Sequence, residues 1–333
     1  MKISFEDKRY PLEGLFKSPG KIFGSLESHI AYTFSGKSAL ALVLSYYRLH
    51  RVLPDKTSQV VVPAWLGTWV YMTMHNYCFP TTVMNKDAKG ILVYHQWGFP
   101  QKMEKILAFA KRHKLFVLED CAHSFQSSYK GRRVGTFGDA SLWSFAKFFP
   151  SVAGGAVYSR NTGLLGFIRS SYQKSDTALE KKVFSHLVHT NAHLTVAARR
   201  EVARNYAVYP ELFSCPPYAK QAVARELSSG ALEKRKKNFQ MLREAFWGKD
   251  EKRLLEDSDV CPWVVPLFLG MKNAKTAAAL QAHGIESGVY HSDIARNMLR
   301  PHFVECVAVP CHQGVSATVI QSMIRTIKAV VRP

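Results

Sequence analysis

The stretch 115–155, LFVLEDCAHSFQSSYKGRRVGTFGDASLWSFAKFFPSVAGG, constrains the fold more than any other part of this chain. Phe116, Val117 and Leu118 form a short run of β-forming residues that stops at Glu119 and Asp120, placing a carboxylate where a buried parallel strand would emerge. Open α/β sheets hold their ligands at that edge. A second apolar run, 140–145, leads to Lys147, and Gly154 and Gly155 then open a third run, 156–158. Two strands therefore deliver an acid and an amine towards one region.

An Asp and a Lys so placed suit pyridoxal phosphate (PLP), whose aldehyde takes a lysine as a Schiff base and whose ring nitrogen needs a carboxylate to stay protonated. The segments EDCAH, KGRRVGTFGD and SLWSF, with a lysine seven residues before Gly154, resemble the DegT/StrS family of PLP-dependent sugar aminotransferases. That resemblance implies a fold-type I transferase: an α/β domain with a mostly parallel sheet and helices on both faces, plus a smaller C-terminal α+β domain. It also implies roles for single residues. Lys147 would form the Schiff base, Asp120 would pair with the pyridine nitrogen, His123 would lie against the ring near its phenolic oxygen, and Ser144 would touch the phosphate. The family usually puts five steps between that serine and the lysine, whereas Ser144 and Lys147 are three apart, so Ser141 is an alternative phosphate ligand.

Each residue also has a plainer reading. Lys147 could be a solvated loop lysine, Asp120 a helix N-cap for 122–125, His123 a satisfied core histidine, and Ser144 a turn residue.

Upstream, Ser35, Gly36, Lys37 and Ser38 precede an apolar-periodic segment, which reads as a glycine turn opening a helix. Free N–H groups there could cradle a phosphate, and the resemblance places the family's phosphate turn here, with Lys37 in place of a threonine. By that resemblance Gly36, Lys37 and Ser38 would hold the cofactor phosphate. After a strand at 59–63, the family stacks an aromatic on the cofactor ring; Trp65 is the choice in this sequence, with Trp69 in reserve, although both could be core tryptophans. A strand at 81–84 runs almost directly into another at 91–95, where relatives carry a helical segment. His95 begins an H-x-x-G-x-P turn and is read as structural or positioning rather than as an acid or base.

The segment 161–209 reads as helical and charged and matches the family poorly. Within it Asn205 and Tyr206 could correspond to a family hairpin that reaches a neighbouring subunit, without its usual arginine. From 232 onward, EKRKKNFQML, a strand at 264–268, a helix at 274–282 and the ending AVPCHQG with a terminal helix suggest a small α+β unit. The expected divisions are an irregular arm over 1–30, a large PLP-binding domain over 31–230 and a small domain over 231–333.

A chain of 333 residues that is 47% hydrophobic can bury a large core. Six cysteines without a C-x-x-C pair, and no signal peptide or long apolar span, suit a cytoplasmic protein without a membrane span. Cys306, Cys311 and His312 fit no zinc spacing. The net charge of +20 favours anionic partners such as nucleotide sugars. No nucleic-acid motif accompanies it.

The reading is amino transfer from an amino-acid donor, glutamate by resemblance, to a keto or aldehyde sugar acceptor linked to a nucleotide, in a homodimer. Two alternatives stand beside it: a catalytically degenerate PLP-fold binding or regulatory protein in polysaccharide biosynthesis, and a polyanion-binding protein.

Overall fold

A computed structural model describes residues 3–7, 21–151, 153–171 and 214–331. Its centre is a seven-stranded sheet built from β1 (Ile30–Thr33), β2 (Gln59–Val61), β3 (Phe79–Thr81), β4 (Ala88–Tyr94), β5 (Phe116–Asp120), β8 (Ala140–Ser144) and β9 (Gly155–Ser159). The spatial order is β1-β9-β8-β5-β4-β2-β3. Pairs from β8 through β3 are parallel, and β9 alone runs antiparallel to its neighbours, β1 and β8.

The strands read as continuous apolar runs because both sheet faces are covered. Leu92, Leu118, Leu142 and Val157 pack against α1 (Gly36–Leu49) and α4 (Thr162–Ser171). Their alternates Ile91, Val93 and Val117 pack with Met103, Ile106 and Ala110 of α3 (Met103–His113) on the opposite face. The period-two alternation of strand side chains thus splits one buried run between two helical layers.

Between β2 and β3 lies the short α2 (Thr68–Met74). The strand expected at 81–84 is instead Phe79–Thr81, and the direct passage into β4 carries no helix. A hairpin of β6 (Ser128–Tyr129) and β7 (Arg132–Arg133) pairs with β10 (Ser258–Asp259) in a second small sheet.

Beyond α5 (Pro217–Ser228) and α6 (Ala231–Phe246), a third sheet has the order β11-β13-β12, from β11 (Val264–Leu267), β12 (Gly288–Asp293) and β13 (Phe303–Pro310). It shares an apolar core with α6, α7 (Asn273–Ala282) and α8 (Ala317–Val331). This is the expected small α+β unit. Residues 3–7 join it: Ile3 bridges Ile285 in parallel, and Phe5 is buried in its core. Of 161–209, only α4 and residues 161–171 are described; Asn205 and Tyr206 lie outside the described residues. No described helix is long and apolar enough to cross a membrane.

Candidate active site

Parallel pairing aligns the carboxyl ends of β4, β5 and β8 along one edge. Tyr94 and Asp120 are register partners and the last residues of their strands, and Ser144 ends β8 beside them. A single helical turn, Phe145–Lys147, follows β8 directly and ends in Lys147.

Asp120 is 4% exposed, and its Oδ1 accepts the Ala122 N–H at 3.0 Å. That bond closes a turn rather than capping a helix. Burial pushes the Asp120 carboxyl up to about 6, against the opposing pull of the Ala122 N–H and of charge on His95 and Lys147. Lys147 lies near enough for its charge to act on the Asp120 carboxyl.

His123 lies in range of the same charge. Its Nδ1 is 2.6 Å from the Tyr94 hydroxyl, and its ring stacks on Trp263 at 4.0 Å and 12°. Burial and, secondarily, the Lys147 charge hold the His123 pKa well below the usual histidine range. Burial also raises the Tyr94 phenol, which keeps its proton and shares a hydrogen bond with Nδ1. Burial therefore favours the neutral form of His123.

Lys147 Nζ lies 5.0 Å above the Trp263 ring and 2.6 Å from Glu6 Oε1. Trp263 Nε1 is buried without a hydrogen-bond partner. An orphaned donor of that kind is what a polar ligand entering the pocket would satisfy.

The glycine turn opens α1 as expected, with Ser35 as N-cap, its Oγ accepting the Ser38 N–H at 3.1 Å. Ser38 is fully buried, and its hydroxyl lies 3.1 Å from Ser35 Oγ, so Ser38 serves the cap. Gly36 touches the end of β8: a Cβ there would sit 3.0 Å from Ser144 Cβ. Ser144 and the turn thus form one small cradle. Lys37 Nζ lies 4.1 Å over Trp69, and burial pulls its pKa down to about 8.

Gly154 takes φ +99°, and a Cβ on Gly155 would meet the Ser35 carbonyl carbon at 2.5 Å. The double glycine lets β9 pass directly behind the turn. Ser141 does not share the cradle, because its buried Oγ donates to Gly135 O at 2.6 Å. That removes it as an alternative phosphate ligand.

Much of the family-like motif is scaffold. Glu119 Oε2 accepts from Gly135 N at 2.8 Å, and Oε1 accepts from Phe137 N and Gly138 N, each at 2.7 Å. His95 Nε2 lies 3.1 Å from Glu119, and His95 Nδ1 accepts the Gln101 N–H. His95 is structural, as expected. His95, Glu119 and Cys121 sit close enough to suggest a metal, but the Glu119 oxygens are already spent on backbone amides.

The ring of Trp65 packs 5.4 Å from His291 and 6.5 Å from Phe303, not against His123. It lines a small, open depression with Tyr94, Gln96 and Asp293. The aromatic that the structure brings to His123 and Lys147 is Trp263, which the motifs did not mark. Tyr94 could have been found as the last residue of a strand paired with β5. Glu6 and Trp263 carry no local signal, since their placement depends on contacts between distant parts of the chain.

A buried acid and a lysine near the carboxyl edge of a mostly parallel sheet, beside a small antiparallel unit, match the fold-type I architecture. The DegT/DnrJ/EryC1/StrS aminotransferase family model matches residues 81–197, about a third of the chain. The chain is 52% identical over 63 residues to GDP-perosamine synthase from Escherichia coli O157:H7, a match covering 19% of this chain and 17% of that protein. It is 43% identical over 136 residues to a UDP-N-acetyl-3-dehydro-alpha-D-glucosamine 3-aminotransferase from Acidithiobacillus ferrooxidans, covering 37% and 36%. These matches span well under two thirds of either relative. Among solved structures, the fold is similar to Helicobacter pylori PseC, an aminotransferase involved in the biosynthesis of pseudoaminic acid, with TM-score 0.67, 16% identity and 99% of each chain covered.

Proposed function

We propose that this protein is a PLP-dependent aminotransferase that moves an amino group from glutamate to a keto or aldehyde sugar carried on a nucleotide. The observation that carries this reading is the placement of buried Asp120, Lys147 and the Gly36–Ser144 cradle near one sheet edge. These residues fit the cofactor: an acid for a ring nitrogen, an amine for an aldehyde, and a pocket for phosphate, with Trp263 Nε1 unpaired beside them.

Bound there, PLP supplies an electron sink for the carbon that exchanges its amine. Asp120, once ionised, holds positive charge on the ring nitrogen. His123, its Nδ1 hydrogen-bonded to Tyr94, would stand beside the ring. Lys147 would hold the cofactor through its amine, and its Nζ would be the group placed to move a proton at the substrate carbon. Gly36, Lys37 and Ser144 hold the phosphate, with Ser38 bracing the turn. Trp263 walls the ring, while Trp65, facing the neighbouring depression, lies where an acceptor would enter.

A net charge of +20 draws a nucleotide diphosphate towards such a depression. Trp65, Trp69 and Met72 are 41%, 56% and 49% exposed around α2, a face that a second copy in a homodimer would cover. Five of the six thiols are buried and none is bonded, which suits a reducing cytoplasm.

The contact of Glu6 with Lys147 favours a second reading, in which the fold binds without turnover. One experiment separates the two. Protein loaded with PLP is titrated with glutamate and then with a panel of keto-sugar nucleotides. Bleaching of the visible absorbance by glutamate and its return with one acceptor is expected; colour indifferent to every amine donor would support the binding-only reading.

A further inference from the structure

Among the described residues, one charged side chain is in direct contact with Lys147, and it comes from residues 3–7. Glu6 Oε1 accepts from Lys147 Nζ at 2.6 Å, across 141 positions of sequence. That segment is held firmly. Ile3 N donates to Gly284 O at 2.8 Å, Glu286 N donates to Ile3 O at 2.7 Å, and Phe5 N donates to Glu286 Oε2 at 3.0 Å. Phe5 is 7% exposed and packs edge-on against Trp263 at 5.6 Å, the same ring that lies beneath Lys147 Nζ. The small unit therefore places both the carboxylate and the indole around an amine that belongs to the large sheet.

Resting on the reading above, we propose that Glu6 is a positioning residue for Lys147: its carboxylate orients Nζ over Trp263 and withholds it from electrophiles until a ligand displaces the contact. The pair is about one-third exposed on each side. An ion pair at that exposure adds little to folding, so it can break and reform cheaply. The other groups facing Nζ are the Asp120 carboxyl and His123, which is neutral. Only Glu6 reaches hydrogen-bond distance among the described residues.

The test needs no cofactor. The full chain is labelled with limiting acetic anhydride at pH 8, and acetylation of Lys147 is read by peptide mass spectrometry against Lys236, which is equally exposed and paired with Asp259 at 2.7 Å. Glu6→Gln is expected to speed labelling of Lys147 relative to Lys236 by about threefold or more, with the melting temperature unchanged. Glu6→Asp restores part of the protection, and Phe5→Ala, which frees the segment, changes labelling in the same direction as Glu6→Gln. Equal Lys147 labelling in wild type, Glu6→Gln and Phe5→Ala would overturn the proposal. If the protein never takes up PLP, the functional reading fails while the labelling result stands on its own.

Discussion

Asp120 carries its charge at a cost that a ligand can remove. Burial raises its carboxyl to about 6, so the group is mostly neutral below that pH and ionised above it. A cationic ring nitrogen favours the ionised form, so binding below pH 6 must first expel a proton. Affinity for PLP is therefore expected to hold above pH 6 and to fall as pH drops through it, measured by absorbance titration. Asp120→Asn, which cannot ionise, should bind about 10- to 100-fold more weakly at pH 7.5, the worth of one charge-assisted hydrogen bond, and should lose the acid dependence. At this scale the sequence was legible where a residue ends a strand. Asp120 was visible as a strand end; Ser144, taken from the family resemblance inside a run read as 140–145, also ends its strand, and Lys147 lies one helical turn beyond. Trp263 and Glu6 were not, because nothing in residues near them in the chain points to Lys147.

The turn before α1 and the double glycine before β9 form one packed unit. The glycines matter because backbone meets backbone there: a Cβ on Gly155 would lie 2.5 Å from the Ser35 carbonyl carbon and 2.6 Å from Trp143 O. Neither partner is a flexible side chain, so Gly155→Ala must push β9 away from the turn. A destabilisation of about 1–3 kcal/mol is expected from denaturant unfolding, with PLP affinity lowered in parallel. Gly166→Ala, in α4 with open space around it, serves as the contrast and should be neutral or slightly stabilising.

Element identity followed from pattern: the apolar runs at 116–118, 140–145 and 156–158 all became strands of one sheet. Boundaries slipped where pattern was thin. The strand expected at 81–84 lies at Phe79–Thr81 because Thr81 is the last residue to pair with β2. Glu119, the other half of the carboxylate pair, turned out to brace the loop at 135–138 through three backbone amides. Spacing alone could not separate that role from chemistry.

For the whole molecule, the site is a product of topology rather than of any one segment. The large sheet supplies Asp120, Ser144 and Lys147, and the small unit supplies Trp263 and, through Phe5, Glu6. Buried Arg235 ties the two, donating to Pro262 O, Trp263 O, Phe148 O and Gln313 Oε1. The small α+β sheet with its covering helices was readable from the strand and helix patterns from 264 onward. Contact between the first residues and the last domain was not, since a lone bridge such as Ile3 to Ile285 leaves no periodic trace. The central claim is that the amine at 147 captures the aldehyde of PLP while the acid at 120 faces the ring's far end. Borohydride reduction of the PLP-loaded protein, followed by peptide mapping, tests it most directly. A single pyridoxyl mass on Lys147 that is lost in Lys147→Ala is expected; the same mass on another lysine, or none at all, would contradict it.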